Sequence, residues 1–357
     1  MPTGVMVVVD SSLIKRTRML MLLSEKGMAE HLEVDFRTYL KIRDGKPVQM
    51  SKAGAVMESL GLRHIEDILS PESLAEYWDT IGTRPTLVRG ELPSDWIILR
   101  PSGKMTELSN GLRFQSWRLC QRHMPERLAR GKRYDLSQMA EAYRVRSDEF
   151  LQRHTRICDM MKKCPFVADN LVNMSDDDKD GWWVIDQWYQ GPTLAEMLAK
   201  GVLAAEQIPT VMRQIARGLE AIHKAGVICR ELSPEKVIYD YSDNSIVLTD
   251  FEMGKLFDGS PTVRGAKWPK NAYRAPEAEG VDLRKDDSHI DLYSWGRILV
   301  HAMTGNGKGE PGAEAEALDE VDLPKKVRDI TLKCVDLDRR NRPKSATAVL
   351  RAISKWK

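Results

Sequence analysis

Cysteine is scarce and shows no pairing pattern. The five cysteines, Cys120, Cys158, Cys164, Cys229 and Cys334, are odd in number and form no Cys-x-x-Cys pair. This argues against a disulfide framework or a structural zinc site and fits a reducing compartment. Long apolar runs are missing too, and nothing approaches the stretch that a bilayer span requires. The run from Val5 to Val9 is too short for the apolar core of a signal peptide, and Asp10 ends it without a cleavage-like site. Neither sign of charge dominates: 54 Lys and Arg against 52 Asp and Glu leave a net charge of +2. That excludes nucleic-acid binding driven by overall charge. There is no internal repeat and no low-complexity tract. What remains is a soluble globular chain, expected to be cytoplasmic, of 357 residues with 42% hydrophobic and 30% charged.

The first 85 residues read as a small α/β module. The run from Val5 to Val9 is short and β-branched, as a buried strand is. Ser11 or Ser12 is placed to cap a helix through Met19, Leu20, Leu22 and Leu23. Leu32, Val34 and Phe36 alternate with polar residues in strand-like fashion, as do Thr38, Leu40 and Ile42, before an Asp44-Gly45 turn. Short helices are expected near 52–60 and 71–81, and Thr83-Arg84-Pro85 suggests a boundary. Strand patterns follow at Trp96 to Leu99 and Leu112 to Leu119, then a long helical stretch over about 136–162. A strand from Trp182 to Asp186 runs into Gln187-Trp188-Tyr189-Gln190-Gly191-Pro192. Ile208, Val211, Met212, Ile215, Leu219 and Ile222 then recur at helical spacing over 206–225.

The chemistry sits in a series of short motifs. Cys229-Arg230-Glu231-Leu232-Ser233-Pro234-Glu235-Lys236 is followed by Asp250-Phe251-Glu252, Ala275-Pro276-Glu277, Asp291-Leu292-Tyr293-Ser294-Trp295-Gly296 and Arg342-Pro343. Each is weak alone, but their order and spacing resemble the C-terminal lobe of the protein-kinase family. The resemblance covers roughly 95–357 and is strong from about 180 onward. It implies an α+β fold with a small β-rich lobe over about 95–186 and a helical lobe over about 187–357, behind the 1–85 module. It also implies ATP and Mg²⁺ as cofactors and a protein substrate or partner. By the same resemblance, Glu231 stands where the family has its catalytic Asp, beside Arg230. Lys236 stands at the metal-binding Asn, and Asp250 at the metal-binding Asp. Glu277 and Arg342 match a structural pair, and Asp291 matches the Asp that props the catalytic loop. Asp186 and Trp188 lie in the hinge segment beside the nucleotide, and Arg118 and Lys132 are the candidates for the strand Lys.

Several parts depart from the family pattern. Glu231 is one methylene longer than Asp, and a misplacement of about 1 Å can cost ~10²-fold in rate. Lys236 offers only donors where Asn offers a metal an oxygen. Glu252 replaces a Gly whose backbone freedom a side chain restricts. Gly103 and Gly111 are too far apart for a glycine-rich phosphate loop. The helix Glu position falls near His154 or Thr155 rather than Glu149. Together these put ATP and Mg²⁺ in doubt and point to a pseudokinase, a signalling scaffold with weak or absent phosphotransfer. The first alternative is an atypical Ser/Thr kinase with Glu231 as base, Asp250 as metal ligand and Lys236 as phosphate clamp. The second is a phosphate- or nucleic-acid-binding adaptor using 113–133, where seven Arg or Lys meet one acid and two aromatics. A solvated strand and loop explains that stretch more simply, so nucleic acid is not an expected partner. Thr262 is the phosphosite that Arg230 would read if one exists. Asp176-Asp177-Asp178-Lys179-Asp180-Gly181 lacks the ligand pattern of a calcium loop and reads as a hairpin tip. Cys229 is expected to fill space rather than to react.

Overall fold

The computed structural model describes residues 5–21, 23–62, 65–70, 73, 95–102, 105–107, 113–121, 124–137, 147–175, 181–256, 271–278, 287–307 and 309–357. The expected helix at 71–81, the Thr83-Arg84-Pro85 boundary, the acidic tip at 176–180 and Thr262 lie outside the described residues.

Strand β1 (Met6–Val7) pairs antiparallel with β2 (Val48–Gln49) beside helices α1 (Ser11–Leu20), α2 (Glu25–His31), α3 (Phe36–Arg43) and α4 (Met50–Ser59). Asp10, rather than Ser11 or Ser12, caps α1, accepting the Ser12 and Leu13 amides. The strand-like alternation at 32–42 is a helix from Phe36 onward. The Asp35 carboxylate accepts the Thr38 amide at 2.9 Å and opens a helix there. Tyr39 and Ile42, three apart, then supply the buried face. Val9, Leu13, Ile14, Met28, Leu32, Tyr39, Ile42, Val56 and Ile68 form the core of this unit, which continues into that of the helical lobe.

The small lobe is an antiparallel sheet in the order β3-β5-β6-β8-β7, with β4 added on β5. Its strands are β3 (Trp96–Pro101), β4 (Thr106–Glu107), β5 (Arg113–Gln121), β6 (Met124–Asp135), β7 (Asn170–Ser175) and β8 (Gly181–Gln187). Of the helical stretch expected over 136–162, residues 138–146 lie outside the described residues; β6 runs to Asp135, and α5 spans Ser147–Met160. In β6 the side chains of residues 130, 132 and 134 share one face, while 129 and 131 share the other. A Cβ on Gly131 would come within 2.6 Å of the Leu119 side chain, so the glycine admits Leu119 and Trp183 against the strand. The basic stretch 113–133 is therefore not simply solvated: Arg118 is 1% exposed and Lys132 7%.

The helical lobe follows, with α6 (Leu194–Lys200), α7 (Ile208–Lys224), α8 (His289–Thr304), α9 (Glu314–Asp319), α10 (Lys325–Cys334) and α11 (Ala346–Ile353). The stripe from Ile208 to Ile222 on α7 is buried, and Trp295 of α8 donates its indole N–H to the Met212 carbonyl at 2.9 Å. Two antiparallel pairs, β9 (Val227–Ile228) with β12 (Lys255–Leu256) and β10 (Val237–Asp240) with β11 (Ser245–Leu248), frame the loops at the lobe junction. The chain thus adopts the expected α+β architecture, a β-sheet lobe on a helical one.

Candidate active site at the lobe junction

The loop after β9 is held from below by Asp291 on α8. Its carboxylate accepts the Cys229 amide at 2.9 Å, the Arg230 amide at 2.8 Å and the His223 ring at 2.8 Å. Arg230 sits at φ 68°, a left-handed angle sustained only where the surroundings impose it. Burial, with Asp291 beside it, pushes the Cys229 thiol well up, so it is no activated nucleophile. Lys236 donates to Glu231 at 3.2 Å, and Arg274 donates to the other carboxylate oxygen. Burial raises the Glu231 pKa, but Lys236 and Arg274 outweigh it, and the net shift is downward. Farther along, Arg342 grips Glu277 with two bonds of 2.5 and 3.0 Å and lies 4.8 Å above the Tyr293 ring.

Asp250 sits at φ 62° directly after Thr249. The Arg130 guanidinium meets both of its oxygens at 3.1 Å and reaches Thr249 at 3.3 Å. Lys132 lies 3.6 Å from the same carboxylate, donates to Glu252 at 3.0 Å, and sits 4.3 Å over the Phe114 ring. The Tyr134 hydroxyl donates to the same Glu252 oxygen. Residues 130, 132 and 134 of β6 thus clamp residues 249–252 of the other lobe. Burial works to raise the Asp250 pKa, and Arg130, Lys132 and Lys236 together pull it far below the usual carboxylate range. For Glu252, burial again raises and Lys132 lowers, with the net direction down.

These residues do not fit a Mg²⁺ site. A hard cation needs several free oxygens, whereas the Asp250 oxygens face Arg130 and Lys132, and the nearby Lys236 offers only donors and is spent on Glu231. Among the described residues no cluster of three or more His, Cys, Asp or Glu is arranged to hold a metal.

Behind this clamp, His154 of α5 contacts Asp186 at 3.0 Å through Nε2 and accepts the Phe251 amide at 3.1 Å through Nδ1. Only an unprotonated Nδ1 can accept, which assigns the neutral tautomer with its proton on Nε2. Burial lowers this ring's pKa and Asp186 draws it up past that, yet protonating Nδ1 would break the bond to Phe251. Asn170 also donates to Asp186, at 2.9 Å. Thr155 bonds Asn173 instead.

A cavity of about 830 Å³ opens in front, lined by Phe114, Arg130, Trp188, Ile238 and, from the N-terminal unit, Leu62 and Asp67. Gly191 ends the hinge hard against the Tyr239 carbonyl, where a Cβ would stand 1.8 Å from that oxygen.

The structure brings Glu231 and Lys236 together, and Asp250 and Lys132, while Trp188 lines the cavity. Asp186 turns instead toward His154 and Asn170. Arg118 is not at the clamp: it donates to Asp67 and lies 4.6 Å over Trp188. Sequence reasoning missed Arg130, Tyr134, Arg274 and Asp67. The period-two spacing of 130, 132 and 134 was the available signal for the first two, once β6 is recognised as a strand.

Comparison with known proteins agrees with this fold. Residues 138–352 match the protein kinase domain, which is more than half of the chain. The chain belongs to the protein kinase family. Similar proteins include a "probable serine/threonine-protein kinase" of Clostridium perfringens, 26% identical over 238 residues, or 60% of this chain and 34% of that protein. Another, from Clostridium acetobutylicum, is 26% identical over 206 residues, 53% of this chain and 31% of its own. Serine/threonine-protein kinase PknL of Mycobacterium tuberculosis is 30% identical over 140 residues, 38% of this chain and 34% of its own. The chain spans about a third of the length of these curated relatives. Among the described residues no helix is long and apolar enough to cross a membrane.

Proposed function

We propose that this kinase-family chain is a pseudokinase: a signalling scaffold that engages a protein partner and has weak or absent phosphotransfer. The observation that carries the reading is the Arg130 fork on Asp250. Phosphoryl transfer relies on a metal held by carboxylates to neutralise the transferring phosphate. Here a guanidinium satisfies the carboxylate that would hold it. For Mg²⁺ to bind, Arg130 has to leave, and a cation separated from its partner at a largely buried site is costly.

Two further features support the reading. Lys236 and Arg274 hold Glu231 with a lowered pKa, which makes it a weak proton acceptor. The pair Lys132 and Glu252 is also closed on itself, so the strand cation most suited to phosphate already has a partner. Where residual phosphotransfer survives, the named relatives favour a Ser or Thr hydroxyl as acceptor.

The test is a thermal-shift titration with ATP, with and without Mg²⁺ or Mn²⁺. Ligand binding to the folded state raises apparent stability by mass action. We expect no metal-dependent shift. A shift that requires the metal and vanishes in Asp250→Ala would mean a working nucleotide pocket and favour the atypical Ser/Thr kinase; Mg²⁺-dependent phosphorylation of the chain or of a protein, lost in Asp250→Ala, overturns the scaffold reading.

A further inference from the structure

The N-terminal unit contains a substructure that the kinase-like site does not use. Helix α2 ends at His31, and α3 begins at Phe36 after the four residues 32–35. Within this turn Glu33 takes the left-handed angle φ 53°, while Leu32 and Val34 point into the core and Asp35 caps α3. Met28 and Ala29 of α2 and Tyr39 and Ile42 of α3 bury their facing sides over Leu13 and Ile14 of α1. Two short helices joined by a tight turn, braced by a third, form the supersecondary unit that presents its second helix to a nucleic-acid groove.

The outer face of α3 is open in the full chain. Phe36, Arg37 and Lys41 are exposed there, and so are Lys46 just beyond the helix and Lys26 at the start of α2. No ion pair engages Arg37, Lys41, Lys46 or Lys26 among the described residues; of the acids in 25–46, Glu30 and Glu33 are exposed too, while the others are engaged. Glu25 and Asp44 bind Arg43, and Asp35 caps α3 and lies 3.6 Å from Lys52. The unit is tied to the rest of the protein from its other side, where Leu60 accepts from Tyr241 and Asp67 engages Arg118 and Gln190. Over residues 25–46 five Lys and Arg balance five Asp and Glu, but α3 itself carries Arg37, Lys41 and Arg43 and no acidic residue, so the basic character belongs to that helix.

We propose that residues 25–46 are a helix-turn-helix reader of duplex DNA, with α3 as the helix that enters the major groove. The major groove of B-form DNA, about 12 Å wide, admits one helix, whereas the deep narrow groove of an RNA duplex does not. Arg37 is placed near the start of α3 to reach a guanine edge, and Phe36 to meet a thymine methyl group. Lys26, Lys41 and Lys46 flank that helix as phosphate contacts. This inference is independent of whether the kinase-like site transfers phosphate.

The experiment uses the purified full chain, a random-sequence duplex pool of about 30 base pairs, roughly three helical turns, and repeated rounds of selection. The expected result is enrichment of one motif, bound with an affinity that falls steeply as salt rises. Arg37→Ala combined with Lys41→Ala should weaken binding of the enriched duplex by about tenfold or more. The same pair should flatten the log–log salt slope by about 1 or more. The fold should be unaffected, because both side chains are exposed and carry no ion pair. A pool that enriches nothing overturns the proposal. So does stronger binding to the single strand or to the matching RNA duplex, or a double variant that binds as the parent does. Binding abolished by Arg127→Ala with Arg133→Ala, but intact in the α3 variant, also overturns it by moving the site to the sheet.

Discussion

Glu252 best shows how one residue changes the meaning of a motif. At a position where the family has glycine, it is buried, and it gives Lys132 and Tyr134 a common acceptor across the lobe junction. From the sequence it was legible only as a side chain at a turn position that favours glycine. The structure shows it holding a cation, the protein's own. Glu252→Gly should therefore destabilise the fold by about 3 kcal/mol or more, because it leaves Lys132 without that acceptor in a buried setting. Denaturant unfolding measures this, and a loss below about 0.5 kcal/mol, the size expected of a surface change, would show that the pair carries no weight. Asp250, Glu231 and Asp291 were each legible because the local motif around them names them. Arg130 and Arg274, which hold Asp250 and Glu231, were not.

At the scale of elements, β6 and the tail of the N-terminal unit decide what the site becomes. β6 sends Arg130, Lys132 and Tyr134 into the junction by simple alternation, but it was hidden because its charged residues resemble a solvated surface. The turn after α4 delivers Asp67 to Arg118, whose side chain is 2% exposed and stacks on Trp188 in the hinge. Gln190 closes the contact by donating to the Asp67 carbonyl at 2.7 Å. This ties the N-terminal unit to the segment that joins the two lobes. Asp67→Ala takes the carboxylate away from a buried guanidinium, so the expected cost is about 3 kcal/mol. Faster hydrogen exchange over the hinge amides of residues 188–191 should accompany it. Unchanged exchange there, in a variant that still folds, would mean that the contact does not brace the hinge.

For the whole molecule, the lobe junction is an electrostatic closure, and it has a pH signature. Asp250, Glu252 and Glu231 all have folded pKa values below their unfolded ones. The unfolded chain therefore takes up protons first as the pH falls. The stability these groups add is fully present above about pH 5 and is lost as the pH drops through their depressed folded values. Thermal midpoints measured from neutral pH downward should fall below about pH 5, and the fall should be shallower in Glu252→Gln. Equal slopes in the two proteins would place the acid-sensitive groups elsewhere.

The sequence by itself determined the order of the catalytic-loop, segment and helix motifs, the two-lobed α+β fold and the amphipathic face of α7. These depend on residues close together in the chain, where periodicity, caps and short motifs act. By resemblance it also set Lys236 at the family's metal-binding Asn and Glu252 at its turn glycine. Only the tertiary structure decided what answers them. Arg130 reaches Asp250 across 120 residues, Tyr134 reaches Glu252 across 118, and Arg118 reaches Asp67 across 51. Charge pairing acts through space and leaves no periodic trace in sequence, so the closure of the site became visible only once the sheet had been folded over the helical lobe.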